Sequence, residues 1–230
     1  MQPEYRFTAQ KTWDSIAESF DTTRKKPWGY CLDFIHTLNH NDVVADLGCG
    51  NGRHLFPCAK QCSHVIGVDI SQRFLHIIQG KLRQTVQRNI SLIHGDVVQL
   101  PFADQSLDAV LFIASLHNIQ GKEHRHAALK EMARVLKPQG AALISVWSRW
   151  QDKFYRHFLR EALVRKRDFG DIDIWWRQQN LNVPRFYHLY SRGEFLHELR
   201  SAGLKIQHIK SVRIHSKRFA DNYFVVVKKE

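Results

Sequence analysis

The 230-residue sequence has no apolar run long enough to cross a bilayer; its longest, AVLFIASL at 109–116, falls far short of a span. The opening MQPEYRF lacks the charged-then-apolar pattern of a signal peptide, so the expected address is cytoplasmic. Cysteine is scarce. Cys31, Cys49, Cys58 and Cys62 stand at irregular spacing, which argues against a disulfide framework in a chain of this size. Internal repeats and low-complexity tracts are absent, and 43% hydrophobic residues suffice for one sizeable core. Acidic residues are the minority, 22 Asp+Glu against 34 Lys+Arg, for a net charge of +12. That deficit is uneven: residues 1–148 carry 16 basic against 13 acidic side chains, and residues 149–230 carry 18 against 9. A basic last third, VRKRD at 164–168 included, reads as a solvated surface or as a grip for a polyanion.

What is present is an alternation of short apolar runs with helical periodicity. Trp13, Ile16, Ala17 and Phe20 fall at helical spacing until TTRKKPWG breaks the pattern, and Cys31, Leu32, Ile35 and Leu38 suggest a second helix. DVVADLG, HVIGVDI, ISLIHGD, LDAVLFIAS and AALISVW then read as strands. Three helices separate them, RHLFPCAK, QRFLHIIQGKLRQ and EHRHAALKEMARVL. After GEFLHELRSAG, the runs LKIQHIKSVRI and NYFVVVKK form two strands with no helix between them, hence an antiparallel pair. The expectation is one α/β domain with a Rossmann-like, doubly wound, mostly parallel seven-stranded sheet and an antiparallel C-terminal hairpin. Its parts are an N-terminal helical cap with the TRKKPW loop (1–40), a ligand-binding core (41–148), a basic aromatic insertion or lid with some helix (149–188), and a C-terminal helix and hairpin (189–230).

Chemistry concentrates in DLGCGNGRHL, residues 46–55. A strand running into a glycine-rich turn before a helix aims backbone N–H groups at a ligand. The glycines are Gly48, Gly50 and Gly52, and Arg53 stands where a dinucleotide fingerprint requires the third glycine. Asp69 ends the next strand, where a carboxylate can accept both hydroxyls of an adenosine ribose, and Asp96 is read as ending the third strand, facing an adenine amino group. Asp46 discriminates, because a carboxylate at that mouth repels phosphate and suits the ammonium of a methionyl group. His54, Cys58 and Cys62 also recur at i, i+4, i+8; a zinc site and a packed core both explain the spacing, and no metal is expected.

The set Asp46, Gly48, Gly50, Gly52, Asp69 and Asp96 resembles the class I S-adenosylmethionine-dependent methyltransferases, over about residues 40–150. A second, more specific resemblance spans nearly the whole chain. FDTTRKKPW (20–28), ASLHNI, ISVW and RFYHLYSRGEF (185–195) look like the tRNA methyltransferases that esterify the carboxymethyl group of the wobble uridine. That resemblance implies S-adenosylmethionine as cofactor, with Trp28 and Ala114 joining the acidic and glycine residues around it. It implies Arg24 as a clamp on the carboxylate or a nearby phosphate, His117 orienting the carboxymethyl arm, and Trp28 and Tyr187 as stacking walls. Lys26, Arg125, Trp147 and Arg185 join Arg24 and Tyr187 on the substrate and RNA side. The chain departs from the family pattern at Lys25, Gly29 and Asn118, and in a shorter insertion before FYHLY. Two partners are implied: a tRNA anticodon stem–loop, and a small zinc-binding methyltransferase activator docked on the edge strand near residues 89–96. The competing readings are a quinone- or sterol-type small-molecule methyltransferase and a non-catalytic tRNA-binding protein.

Overall fold

A computed structural model describes residues 3–163 and 169–229; the basic run VRKRD lies outside the described residues. In chain order the elements are α1 (Pro3–Thr23), α2 (Gly29–Ile35), β1 (Val43–Leu47), α3 (Leu55–Gln61), β2 (His64–Asp69), α4 (Gln72–Leu82), β3 (Ile90–His94) and β4 (Leu107–Ile113). They continue as a 3-10 turn (Leu116–Asn118), α5 (Lys122–Val135), β5 (Leu136–Trp147), α6 (Tyr155–Ala162), β6 (Asp171–Trp176), β7 (Val183–His188), α7 (Arg192–Ser201), β8 (Leu204–Val212) and β9 (Asn222–Lys229).

Seven strands form one sheet in the order β3-β2-β1-β4-β5-β9-β8. The first five run parallel, and β9 inserts antiparallel between β5 and β8. This is the doubly wound sheet with a terminal antiparallel pair that the alternation predicts. Strands β1 and β4 sit at its centre, buried on both faces, which is why VVADL and LDAVLFI are nearly continuous apolar runs. One face packs against α5 and α7 through Leu129, Met132, Phe195 and Leu199. The other packs against α2, α3 and α4 through Phe34, Ile35, Leu55, Cys58 and Ile78.

Local signals set the helix ends. Ser71 caps α4 by accepting from the Phe74 N–H at 3.1 Å. Ser191 and Glu194 make a reciprocal capping box on α7. Pro57 falls in the first turn of α3, where its missing N–H costs nothing.

Two elements differ from the sequence reading. Strand β5 starts at Leu136 rather than Ala141, pairing with Leu107 before a register shift. The 149–188 insertion holds α6, as expected of a segment with some helix, and also a separate antiparallel pair, β6 with β7. The pair has its own small core of Phe154, Phe158, Ile174, Tyr187 and Leu189. Its β7 strand lies over the carboxyl end of β4, so the sequence after the core returns to wall the site.

Candidate active site

A cavity of about 590 Å3 opens at the carboxyl ends of β1, β2 and β4, the position at which open α/β sheets bind ligands. Its floor is the β1–α3 turn. Gly48 and Gly50 hold φ of +66° and +53°, and a Cβ on Gly48 would collide with the Ser115 side chain, so glycine is required there by both backbone and space. Asp69, at the end of β2, braces the turn: Oδ2 accepts from the Gly50 N–H at 2.7 Å and Oδ1 from the Ser71 N–H at 2.8 Å. Desolvation outweighs those bonds and raises the Asp69 carboxyl to about 6.

Asp46 is 2% exposed, and among the described residues its Oδ2 has no hydrogen-bond partner. Burial, with the Asp69 charge next in importance, pushes its carboxyl up to about 7. A buried, unsatisfied carboxylate oxygen above a glycine turn fits an ammonium and repels a pyrophosphate. The cradle therefore suits the amino-acid end of S-adenosylmethionine, with Asp46 and the glycine turn to hold it and Asp69 within reach of the ribose. Ala114, whose φ is +53°, follows β4 and completes the wall; its N–H donates to the backbone oxygen of Ser145 at 3.1 Å and to the Ser145 hydroxyl at 3.0 Å. Asp96 does reach the cavity, but it lies two residues beyond the end of β3, in a turn where its Oδ1 accepts from the Val98 N–H.

At the other end of the cavity three rings and a cation meet. His117 stacks on Tyr187 with centroids 5.2 Å apart, and Trp147 sits 5.0 Å from Tyr187. The His117 Nδ1 accepts from the Trp147 N–H at 3.1 Å, which leaves the ring proton on Nε2. Burial first, then the Arg185 charge, lowers the imidazole to about 3, so it remains a neutral donor. Arg185 is 6% exposed and donates to the Tyr187 hydroxyl at 2.7 Å. Its guanidinium lies 4.9 Å from the Trp176 ring centre and 5.8 Å from that of Trp13. Among the described residues no carboxylate pairs with it, and its Nε has no partner. A buried cation so placed suits an anionic ligand.

The 24–28 loop closes the remaining side. Trp28 packs edge-on against Phe224, its backbone N–H donates to His54 Nε2 at 3.3 Å, and Arg53 covers its ring at 4.5 Å. Arg24 and Lys26 are exposed and line the mouth, with the Arg24 guanidinium 5.5 Å from the Trp176 ring centre. The His54 ring is thus committed to the loop, while Cys58 and Cys62 are buried in the core with sulfurs 4.0 Å apart.

One expected contact is corrected. Arg125 is 4% exposed and lies over the Tyr190 ring rather than in the cavity, so it cannot meet a phosphate. Its place at i−3 and i−4 from Ala128 and Leu129 puts it on the buried face of α5. The sequence reading took Trp13 and Phe20 as part of a helical pattern and gave neither them nor Trp176 a place at the site. Trp176 stacks on Phe20 at 5.7 Å, and its indole N–H donates to Ser19 Oγ at 2.9 Å, fastening β6 to α1. The sequence DIDIWW shows the aromatic residues, but nothing local in it places Trp176 against Ser19 and Phe20.

Fold and cradle together define a class I S-adenosylmethionine-dependent methyltransferase. The Methyltransferase domain family matches residues 45–144. A protein of Encephalitozoon cuniculi, named provisionally as a methyltransferase, is 33% identical over 205 residues, covering 88% of this chain and 89% of its own. The mouse (Mus musculus) tRNA (carboxymethyluridine(34)-5-O)-methyltransferase ALKBH8 is 34% identical over 164 residues, 71% of this chain and 23% of that protein. The Arabidopsis thaliana tRNA (carboxymethyluridine(34)-5-O)-methyltransferase is 33% identical over 142 residues, 62% of this chain and 33% of that protein. The chain thus spans a quarter to a third of the length of these two relatives. Among solved structures, a methyltransferase of Haloferax volcanii in complex with the Trm112 methyltransferase activator superposes with a TM-score of 0.70 at 18% identity, over 96% of each chain. This chain belongs to the methyltransferase family that contains the wobble-uridine tRNA enzymes.

Proposed function

We propose that this protein transfers a methyl group from S-adenosylmethionine to the carboxylate of 5-carboxymethyluridine at the tRNA wobble position, giving the methyl ester. The observation that carries the reading is Arg185, a buried guanidinium with no acidic partner among the described residues, facing the cavity beside His117, Trp147 and Tyr187. The 33–34% identity to enzymes named for this reaction supports it.

When bound, the cofactor supplies an electrophilic methyl on a cationic sulfur. The acceptor carboxylate is already ionised at neutral pH, so no general base is needed, and the task left to the protein is orientation and exclusion of water. Arg185 holds one carboxylate oxygen by charge-assisted bonds and leaves the other free to attack. His117, neutral and protonated on Nε2, donates a second hydrogen bond without drawing a proton. Tyr187, Trp147 and Trp28 supply faces against which the uracil and adenine stack. Arg24 and Lys26 meet a phosphate at the mouth rather than the carboxylate, because they are exposed where Arg185 is buried. Asp46 holds the methionyl ammonium, Asp69 the ribose and Asp96 the adenine.

A zinc-binding activator docks on β3. That edge strand, Ile-Ser-Leu-Ile-His, carries no charged guard residue, whereas the opposite edge, β8, carries Lys205 and Lys210. We read the chain as a cap (1–40), a cofactor core (41–148), an insertion (149–188) and a terminal helix with hairpin (189–230). A cytoplasmic address fits the substrate; among the described residues no helix is long and apolar enough to cross a membrane. The test is methyl transfer to bulk tRNA with and without prior mild alkali, which exposes free carboxymethyl groups. Strong stimulation by alkali is expected, and equal labelling of both contradicts the reading.

A further inference from the structure

The loop between β8 and β9 is held as a fixed presentation surface. Six successive backbone N–H groups, from 214 to 219, turn inward onto two carboxylates. Asp221 accepts from Ile214, His215 and Ser216 at 2.8, 2.5 and 2.8 Å. Asp152 accepts from Lys217, Arg218 and Phe219 at 2.7, 3.0 and 2.9 Å. With the amides facing in, the side chains of Lys217, Arg218 and Phe219 face solvent. Those amides also hold the Asp152 carboxyl below its ordinary value.

An exposed aromatic sits among these cations. Phe219 is 45% exposed and packs against Tyr155, centroids 5.4 Å apart, while the Arg156 guanidinium lies 5.9 Å from the Tyr155 ring centre. Among the described residues no ion pair occupies Arg156, Lys217 or Arg218. The same loop reaches the active site, since His215 lines the cavity. Cations that meet phosphates, beside a ring on which a base can stack, are the two elements of single-stranded nucleic-acid binding.

We propose that the 213–219 loop, with Tyr155 and Arg156, grips the backbone of a single-stranded RNA loop and stacks one of its bases while the reacting nucleotide occupies the cavity. The surface rests on the tRNA reading above. It explains why basic residues concentrate late in the chain, and it assigns the exposed Phe219 a partner.

The test compares wild type with Arg156→Ala/Lys217→Ala/Arg218→Ala, using a fluorescent anticodon stem–loop RNA with uridine at the wobble position. A control variant, Lys122→Ala/Lys130→Ala/Lys205→Ala, removes the same charge elsewhere on the surface. Binding is followed by anisotropy across a salt series, and methyl transfer by KM and kcat for alkali-treated tRNA. The expected result is a salt slope shallower by about 2 and a KM raised roughly tenfold or more, with kcat within about twofold. Phe219→Ala weakens binding with no change of slope, the mark of stacking. If the triple variant matches the control in slope and KM while wild type methylates tRNA, the surface is wrong and the reaction stands. If wild type binds no stem–loop and methylates a different acceptor, both fall. The binding arm needs no turnover, so the surface is tested even where methylation is not seen.

Discussion

Arg185 and Tyr187 stand on one face of β7, two residues apart, and the guanidinium of the first donates to the hydroxyl of the second at 2.7 Å. Alternation along a strand puts both on the cavity side, and Tyr187 carries the pairing on to the stacked ring of His117. A cation, a phenol and an imidazole thereby converge, and among the described residues no carboxylate pairs with the cation, which fits the anionic substrate proposed above.

Arg185→Lys keeps the charge and loses the planar fork. The expected outcome is a fall in kcat of about 100-fold with cofactor affinity within about twofold of wild type, read by steady-state kinetics and calorimetry. A matching loss of cofactor affinity would assign Arg185 to the cofactor instead.

Asp46 makes cofactor affinity pH-dependent. Its carboxyl is raised to about 7 in the free protein, and a cationic ligand binds only the ionised form. Affinity is therefore full above about pH 7 and falls about tenfold per pH unit below it. Asp46→Asn should bind weakly with no such slope; isothermal titrations from pH 5 to 8 decide.

Gly48→Ala forces a Cβ into Ser115 at positive φ. The expected cost is about 1–3 kcal/mol of stability and the loss of measurable cofactor binding. Adding Ser115→Gly should return part of the stability, because it removes the collision and leaves the φ strain. Chemical denaturation of both variants separates the two terms.

The β6–β7 pair is tied to the rest of the chain by charge. His188 Nδ1 meets Asp171 Oδ1 at 2.6 Å, and Nε2 meets Glu194 Oε1 at 3.0 Å; Arg149 bonds the other Glu194 oxygen at 2.6 Å. Burial opposes the charge of His188 and the Arg125 charge lowers it further, but the bonds to Asp171 and Glu194 prevail and its pKa is raised. The bonds from His188 and Arg149 leave the Glu194 carboxyl below its ordinary value despite burial. The Glu194 contribution is present above its unfolded pKa, about 4.3, and is lost as pH falls through the lower folded value. The His188 contribution is present below its unfolded pKa, about 6.5, and is lost as pH rises through the higher folded value. Glu194→Gln should cost roughly 3 kcal/mol and flatten the alkaline decline of thermal stability, which calorimetry at pH 5 to 9 measures.

The central sheet was legible because parallel strands buried on both faces leave long apolar runs, as in β1 and β4. The glycine turn was legible because Asp46 and the three glycines fall within seven residues, although its brace, Asp69, and the Ser115 side chain that crowds Gly48 come from further along the chain. Arg125 was read as a residue of the substrate and RNA side, although its spacing to Ala128, Leu129 and Met132 already put it on the buried face of α5. The β6–β7 pair and its aromatic contacts were not legible. Trp176 bonds Ser19 across 157 residues, and the buried Arg185 packs against Trp176 and Trp13. Local pattern carries no trace of such contacts, so the sequence reading set Arg185 among the substrate-side residues and offered Arg24 as the clamp or a phosphate contact; the clamp role of Arg185 is the proposal made above.

The most direct measurement is the chemical lability of the product. Alkali-treated tRNA is exposed to the protein, with the proposed zinc-binding activator, and methyl-labelled S-adenosylmethionine, and the product is then exposed to mild base a second time. A carboxylate ester releases the label as methanol, and release is the result this account predicts. Label that survives base sits on carbon, nitrogen or ribose oxygen, and would contradict carboxylate methylation.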